Sequence, residues 1–224
     1  MAPRASERRA ILCVVLDAAA CGPEPRSFAH RVFRAGADWI QLRDRTIQGC
    51  DFLAWARAVV EAARDETKGP RDSPASGRRV LINRRIDIAL AAGADGAHLG
   101  FDAPPPEGAK RLLPASALVG ASFHSVDEVE TANEGTPPYA YVHLAPIWTP
   151  NSKPAARPPL GPEALARACR GDLPVLAQGG IDPDRTARAV RVGAAGVAVT
   201  GAIRHDGEAE RTIRRLRRAL DGQN

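Results

Sequence analysis

The sequence predicts a single-domain (β/α)8 barrel, a TIM barrel of the α/β class. Three observations predict it. Helical stretches rich in Ala and Arg alternate along the chain with short Val/Ile/Leu runs, the pattern of a parallel sheet buried on both faces. The 224 residues, 44% hydrophobic and 25% charged, suit one domain with a sizeable core better than two small ones. A unit of helix end, glycine and short strand recurs at Ala35-Gly-Ala-Asp-Trp39, Ala92-Gly-Ala-Asp-Gly96 and Val192-Gly-Ala-Ala-Gly196, a structural echo of repeated βα units.

Residues 1–9 are charged and read as a loose tail, leaving 10–222 for the barrel. Ile11–Leu16 is the first strand and ends in Asp17. Residues 18–25 read as a loop, and Ser27 caps a helix ending near Gly36. Trp39–Leu42 is the second strand and runs straight into Arg43-Asp44-Arg45. Charges at the carboxyl end of a buried strand belong to the active face of a barrel. Period-two alternation sends one of Arg43 and Arg45 inward and the other along the rim.

An amphipathic helix covers roughly 49–64. Residues 65–78 carry no periodicity and read as an exposed loop on the opposite face, without a catalytic role. The third strand, 79–82, ends in Asn83-Arg84-Arg85. Gly93 stops the helix Ile86–Ala92, and the fourth strand with its turns occupies 94–100. A proline-stiffened loop at 103–106 leads to a helix near Lys110. The fifth strand, 118–121, ends at Ser122-Phe123-His124-Ser125, where Ser125 and Glu128 make a capping box. After the sixth strand, 139–144, a long proline-hinged loop at 145–161 carries Ser152, Lys153 and Arg157. On the active face it reads as a lid.

The last two strands, 174–178 and 195–199, each run into glycine: Gly179-Gly180 after the first, Thr200-Gly201 after the second. Asp182 or Asp184 caps the helix between them. Two adjacent turns of this kind aim backbone N–H groups and a helix N-terminus at one anion, and the ends of strands seven and eight are the usual phosphate position in such barrels. The same glycines also serve tight turns.

A net charge of +5 raises nucleic acid as a partner, but only 4% of residues are aromatic, too few for a platform that stacks on bases. The densest basic cluster, Arg211, Arg214, Arg215, Arg217 and Arg218, falls on the last helix and reads as a solvated face. The four cysteines sit at no metal-ligand spacing, and no long apolar run marks a membrane segment. The chain therefore reads as cytoplasmic, with free thiols and no nucleic-acid or membrane partner. Homo-oligomers stay open.

Gln41-Leu-Arg-Asp-Arg45, the stretch 81–90, Gly93-Ala-Asp-Gly-Ala-His-Leu-Gly100, Gly120-Ala-Ser-Phe-His-Ser125, the stretch 145–153 and Ala177-Gln-Gly-Gly-Ile181 together resemble the thiamine-phosphate synthase/TenI family, in order and over nearly the whole chain. The resemblance implies a (β/α)8 barrel that binds a small phosphorylated heterocycle. One branch joins hydroxymethylpyrimidine diphosphate to a thiazole phosphate, with Mg²⁺, and releases diphosphate. The other includes a metal-independent thiazole tautomerase.

This chain carries Arg84 where the synthase pattern has a carboxylate after Asn83, Ala103 near a second one (Asp102 is its neighbour), and Arg45 where the pattern has lysine. A guanidinium where a hard cation should sit argues against Mg²⁺. The expectation is therefore a TenI-like protein with no metal and no cofactor, Mg²⁺ returning only for the synthase. In it Gly179, Gly180, Thr200 and Gly201 hold the phosphate. His124 is the general acid/base, or only a helix-entry residue, and Lys153 and Arg43 hold a carboxylate or phosphate oxygen. Ser152 stands where tautomerases carry a thiol. The alternatives are a synthase in which Arg43, Arg45, Asn83, Arg84 and Lys153 cradle the leaving group, with Ser122 at the site, and a non-catalytic phosphate-binding barrel.

Overall fold

The computed structural model describes residues 9–47, 49–66, 77–100, 103, 105–136, 138–149, 157–201, 203 and 208–222. Eight parallel strands close a barrel in chain order: β1 (Ile11–Leu16), β2 (Trp39–Leu42), β3 (Arg79–Asn83), β4 (Gly96–Leu99), β5 (Leu118–Phe123), β6 (Tyr141–Leu144), β7 (Val175–Gln178) and β8 (Gly196–Val199). β8 pairs back onto β1 through Ile11 opposite Gly196, which completes the ring. The helices that return the chain are α1 (Ala18–Cys21), α2 (Pro25–Ala35), α3 (Gly49–Glu66), α4 (Ile86–Ala92), α5 (Pro106–Leu112), α6 (Val126–Ala132), α7 (Gly161–Ala168), α8 (Pro183–Arg191) and α9 (Ala209–Leu220).

Period-two alternation divides the core. Outward residues such as Leu12, Val14, Ile40, Ile82 and Val142 pack under the helices. Inward residues Cys13, Val15, Trp39, Leu81, Tyr141, Leu176 and Ala198 form a separate apolar plug in the barrel. Trp39 and Tyr141 meet edge to face inside it, centroids 4.9 Å apart.

Local chemistry explains most element ends. Ser125 accepts the Glu128 amide at 3.2 Å while the Glu128 carboxylate accepts the Ser125 amide at 2.9 Å, the expected capping box of α6. Asp182 caps α8 by accepting the Arg185 amide at 2.8 Å. Gly36 and Gly93 take left-handed backbone at the ends of α2 and α4.

Three expectations are corrected. Residues 18–25 are not all loop: Asp17 accepts the Ala20 amide at 2.8 Å and starts the one-turn helix α1. Ser27 does not cap the next helix, which begins at Pro25, because proline fits the first turn where its missing N–H is no loss. Nor is the arginine cluster of α9 wholly solvated. Arg217 is buried and donates to Asp38 (2.9 Å), Asp221 (2.7 Å) and the Ala10 carbonyl (2.9 Å). It thus ties the last helix to the turn before β2. Gly36 makes room for it, since a Cβ there would lie 2.8 Å from Arg217 Cγ.

All four cysteines are free thiols, and among the described residues no helix is long and apolar enough to cross a membrane.

Candidate functional site

The residues two positions beyond the apolar plug form a polar layer: Gln41 after Trp39, Asn83 after Leu81, Ser122 after Gly120, His143 after Tyr141 and Gln178 after Leu176. His98 stands in the same layer on β4. One step further lie Arg43 and His124. Most of these side chains, with Arg45, Arg84 and Thr200, line a cavity of about 300 Å³ at the carboxyl ends of the strands.

Gln41, His98 and His143 are buried at the floor, and hydrogen bonds hold the layer together. His98 bonds Tyr141 through Nδ1 at 3.0 Å and Ser122 through Nε2 at 2.7 Å, so both ring nitrogens are engaged. Gln41 donates its amide to Asn83 Oδ1 at 3.2 Å. Gln178 donates to the Thr200 hydroxyl at 3.1 Å, joining the ends of β7 and β8. Burial holds both inner histidines neutral: it pushes His98 well down, helped by His143 and Arg43, and brings His143 to about 3, while a hydrogen bond with the Gln178 side chain opposes the fall.

The rim is cationic. Arg43, Arg45 and Arg84 all line the cavity, and no carboxylate does among its described residues. Burial lowers the Arg43 pKa, and the charges of Arg45 and Arg84 lower it further. Arg43 and Arg45 both line the cavity, and burial acts on Arg43. β2 ends at Leu42, so period two no longer governs the turn. Asp44 instead folds the loop by accepting from Ala18, Thr46 and Ile47, and its pKa falls to about 2 despite partial burial. Arg84 has left-handed backbone, φ 66°, a conformation non-glycine residues pay for and one that collects at working sites.

His124 bonds the Ala145 carbonyl through Nδ1 at 2.8 Å. A carbonyl only accepts, so the proton sits on Nδ1 and Nε2 is the basic nitrogen.

At the far side, Gly179 and Gly180 have φ of 93° and 63°. Their glycine identity answers a close approach by the chain after β6: a Cβ on Gly179 would lie 2.8 Å from Pro146, and one on Gly180 2.5 Å from the Thr149 carbonyl. Trp148 donates to the Gly179 carbonyl at 3.2 Å and Ile147 to the Gln178 carbonyl at 2.8 Å. The base of the expected lid is therefore anchored, with Ile147 fully buried. The amides of Gly179, Gly180, Thr200 and Gly201 make no hydrogen bond among the described residues. Ser152, Lys153 and Asp102 lie outside the described residues.

The structure thus gathers Arg43, Arg45, Asn83, Arg84, Ser122, His124 and Thr200 around one cavity, with the glycine turns beside it. Sequence reading missed Gln41, Gln178, His98 and His143 as site residues. Counting two positions back from Arg43 and from Gly180 would have found Gln41 and Gln178.

The family model described as thiamine monophosphate synthase (TMP-TENI) matches residues 12–203. The chain belongs to the thiamine-phosphate synthase/TenI family. Its sequence is 36% identical over 208 residues to a thiamine-phosphate synthase of Chlorobium luteolum, covering 92% of this chain and 91% of that protein. It is 35% identical to the bifunctional protein ThiM/ThiE of Symbiobacterium thermophilum, covering 91% of this chain but only 39% of that longer protein. Among solved structures, thiamine phosphate pyrophosphorylase from Pyrococcus furiosus superposes with a TM-score of 0.78 at 22% identity, over 96% of this chain and 98% of that one, a likeness of fold. The molecule is a thiamine-biosynthesis barrel of the thiamine-phosphate synthase type. The leaning toward the TenI branch finds no support in these relatives, of which the Chlorobium luteolum protein carries the synthase name.

Proposed function

We propose that this chain is a thiamine-phosphate synthase, joining hydroxymethylpyrimidine diphosphate to a thiazole phosphate. The observation that carries the reading is the pair of anion stations around one cavity: three guanidiniums on the β2 and β3 side, and glycine-turn amides beyond β7 and β8. Two stations suit two phosphorylated substrates, a diphosphate at the first and a monophosphate at the second.

Family synthases use Mg²⁺. The described residues do not fit that ion: no carboxylate lines the cavity among them, and Arg84 stands beside Asn83 at the rim. The leaving group is therefore neutralised by arginine. The C–O bond between the pyrimidine methylene and diphosphate breaks, and diphosphate takes the electron pair. The lone pair of the thiazole nitrogen forms the new C–N bond. Arg43, Arg45 and Arg84 stabilise the charge that develops on diphosphate, already in place before it appears. Lys153, in the loop after β6, adds a further cation, and Ser152 beside it a hydroxyl for a substrate oxygen. The floor excludes water from the reacting carbon.

The test supplies both substrates to purified protein with a chelator, then with Mg²⁺. Thiamine phosphate is expected in both, at rates within about twofold. Product in neither condition rejects the synthase, and product with Mg²⁺ alone rejects the metal-free site. Arg84→Asp should weaken diphosphate binding on the order of 30-fold or more, since it replaces an attraction by a repulsion.

One observation favours a second reading. The basic Nε2 of His124, with its tautomer set by Ala145, suits proton transfer on a thiazole carboxylate phosphate, the tautomerase chemistry. His124→Asn would abolish that reaction and spare the synthase.

A further inference from the structure

We propose that His143 is a substrate-contacting residue that reads the polar edge of the pyrimidine ring and so selects an amino-bearing heterocycle. This rests on the synthase reading above.

His143 lies in the polar layer on β6, lines the cavity, and is 1% exposed. Its Nε2 is buried with no hydrogen-bond partner among the described residues. The contrast with His98 is direct. The two rings are neighbours, centroids 4.4 Å apart, yet both nitrogens of His98 are bonded within the protein. A histidine kept only for packing would serve no better than the apolar residues of the plug immediately below, and it would lack their freedom from an unmatched nitrogen.

A second unmatched atom lines the same cavity. Gln41 Oε1 is buried without a partner, its amide nitrogen being engaged by Asn83. β2 and β6 lie four strands apart in an eight-strand ring, so Gln41 and His143 come from opposite walls. A carbonyl oxygen needs a donor. A thiazole ring has none, whereas an aminopyrimidine offers an exocyclic N–H₂ together with ring nitrogens that accept. A neutral imidazole has one donor and one acceptor, and can pair with either kind of atom on that ring. The cationic rim then takes the diphosphate of the same molecule.

The test uses intact protein labelled with ¹⁵N-histidine and three probes: the unphosphorylated hydroxymethyl aminopyrimidine, inorganic diphosphate and thiazole phosphate. The ring-nitrogen resonances of His143, assigned by their loss in His143→Gln, are expected to move with the pyrimidine and not with diphosphate. In turnover, His143→Leu should raise KM for pyrimidine diphosphate at least tenfold and leave KM for thiazole phosphate within twofold. His143→Gln, which keeps a donor and an acceptor, should recover much of the loss. Unmoved resonances, or unchanged KM in a protein that makes thiamine phosphate, overturn the inference while sparing the synthase reading. Resonances that move in a protein making no thiamine phosphate overturn the synthase reading alone. Should His143→Leu fail to fold, the titration of the unaltered protein still decides.

Discussion

At Gly120 a methyl group would stand 2.1 Å from Cζ of Tyr141. The Tyr141 ring fills the barrel centre, packs on Trp39 and bonds His98, so it has no open space to retreat into. Gly120→Ala should therefore destabilise the protein by about 3 kcal/mol, the upper range for overpacking a tight core. The midpoint of urea unfolding measures it, and an unchanged midpoint would mean that Tyr141 has another place to go. The consequence reaches the site, because Tyr141 supports His98 and His98 holds the Ser122 hydroxyl at the cavity wall.

At the scale of elements, α9 is docked by one buried ion pair as well as by its apolar stripe of Ile213, Leu216 and Leu220. Asp38 sits between β1, β2 and α9. It accepts the Leu12 amide at 2.8 Å as well as Arg217, and its pKa is raised by burial against those partners. Arg217→Ala removes the most buried of the cations around Asp38 and leaves Arg9 at 2.8 Å and Arg78 at 3.7 Å, with an expected loss of about 2 kcal/mol, the value of a charged hydrogen bond. Arg218→Ala, one residue on and exposed, should stay within about 0.5 kcal/mol. Equal losses from both, measured by thermal or urea unfolding, would deny the pair its role. The difference bears on function because β1 and β2 carry Val15, Gln41 and Arg43 to the cavity.

For the whole molecule, the neutral histidines of the barrel interior set an acid limit. In the unfolded chain each titrates near 6.5. In the folded protein burial holds His143 down to about 3 and His98 well below its ordinary value. Between those limits the unfolded chain binds protons that the folded one does not. Stability is fully present above about pH 6.5 and is lost as pH falls toward the folded values. Each histidine contributes a slope of about 1.4 kcal/mol per pH unit in that window. His143→Gln should make the profile shallower by about that amount between pH 6 and 4.5, as read from urea midpoints. A parallel profile would place the acid sensitivity elsewhere.

The sequence by itself determined the architecture. The buried runs at 11–16 and 39–42, the glycine stops at Gly36 and Gly93 and the box at Ser125 and Glu128 are local signals, and strand, turn and cap chemistry acts over a few residues. It also determined most of the rim, because charges that directly follow a buried strand have only one end of a barrel to occupy. Tertiary structure decided what depends on residues distant in the chain. Arg217 reads as surface until Asp38, 179 positions away, is folded beneath it. Why position 180 must be glycine is legible only once the Trp148–Thr149 backbone is seen against it. His98 and His143 read as strand residues until closure of the ring brings β4 and β6 together inside the barrel. Burial is a property of the closed barrel, and burial makes one histidine a support and leaves the other with a nitrogen unmatched.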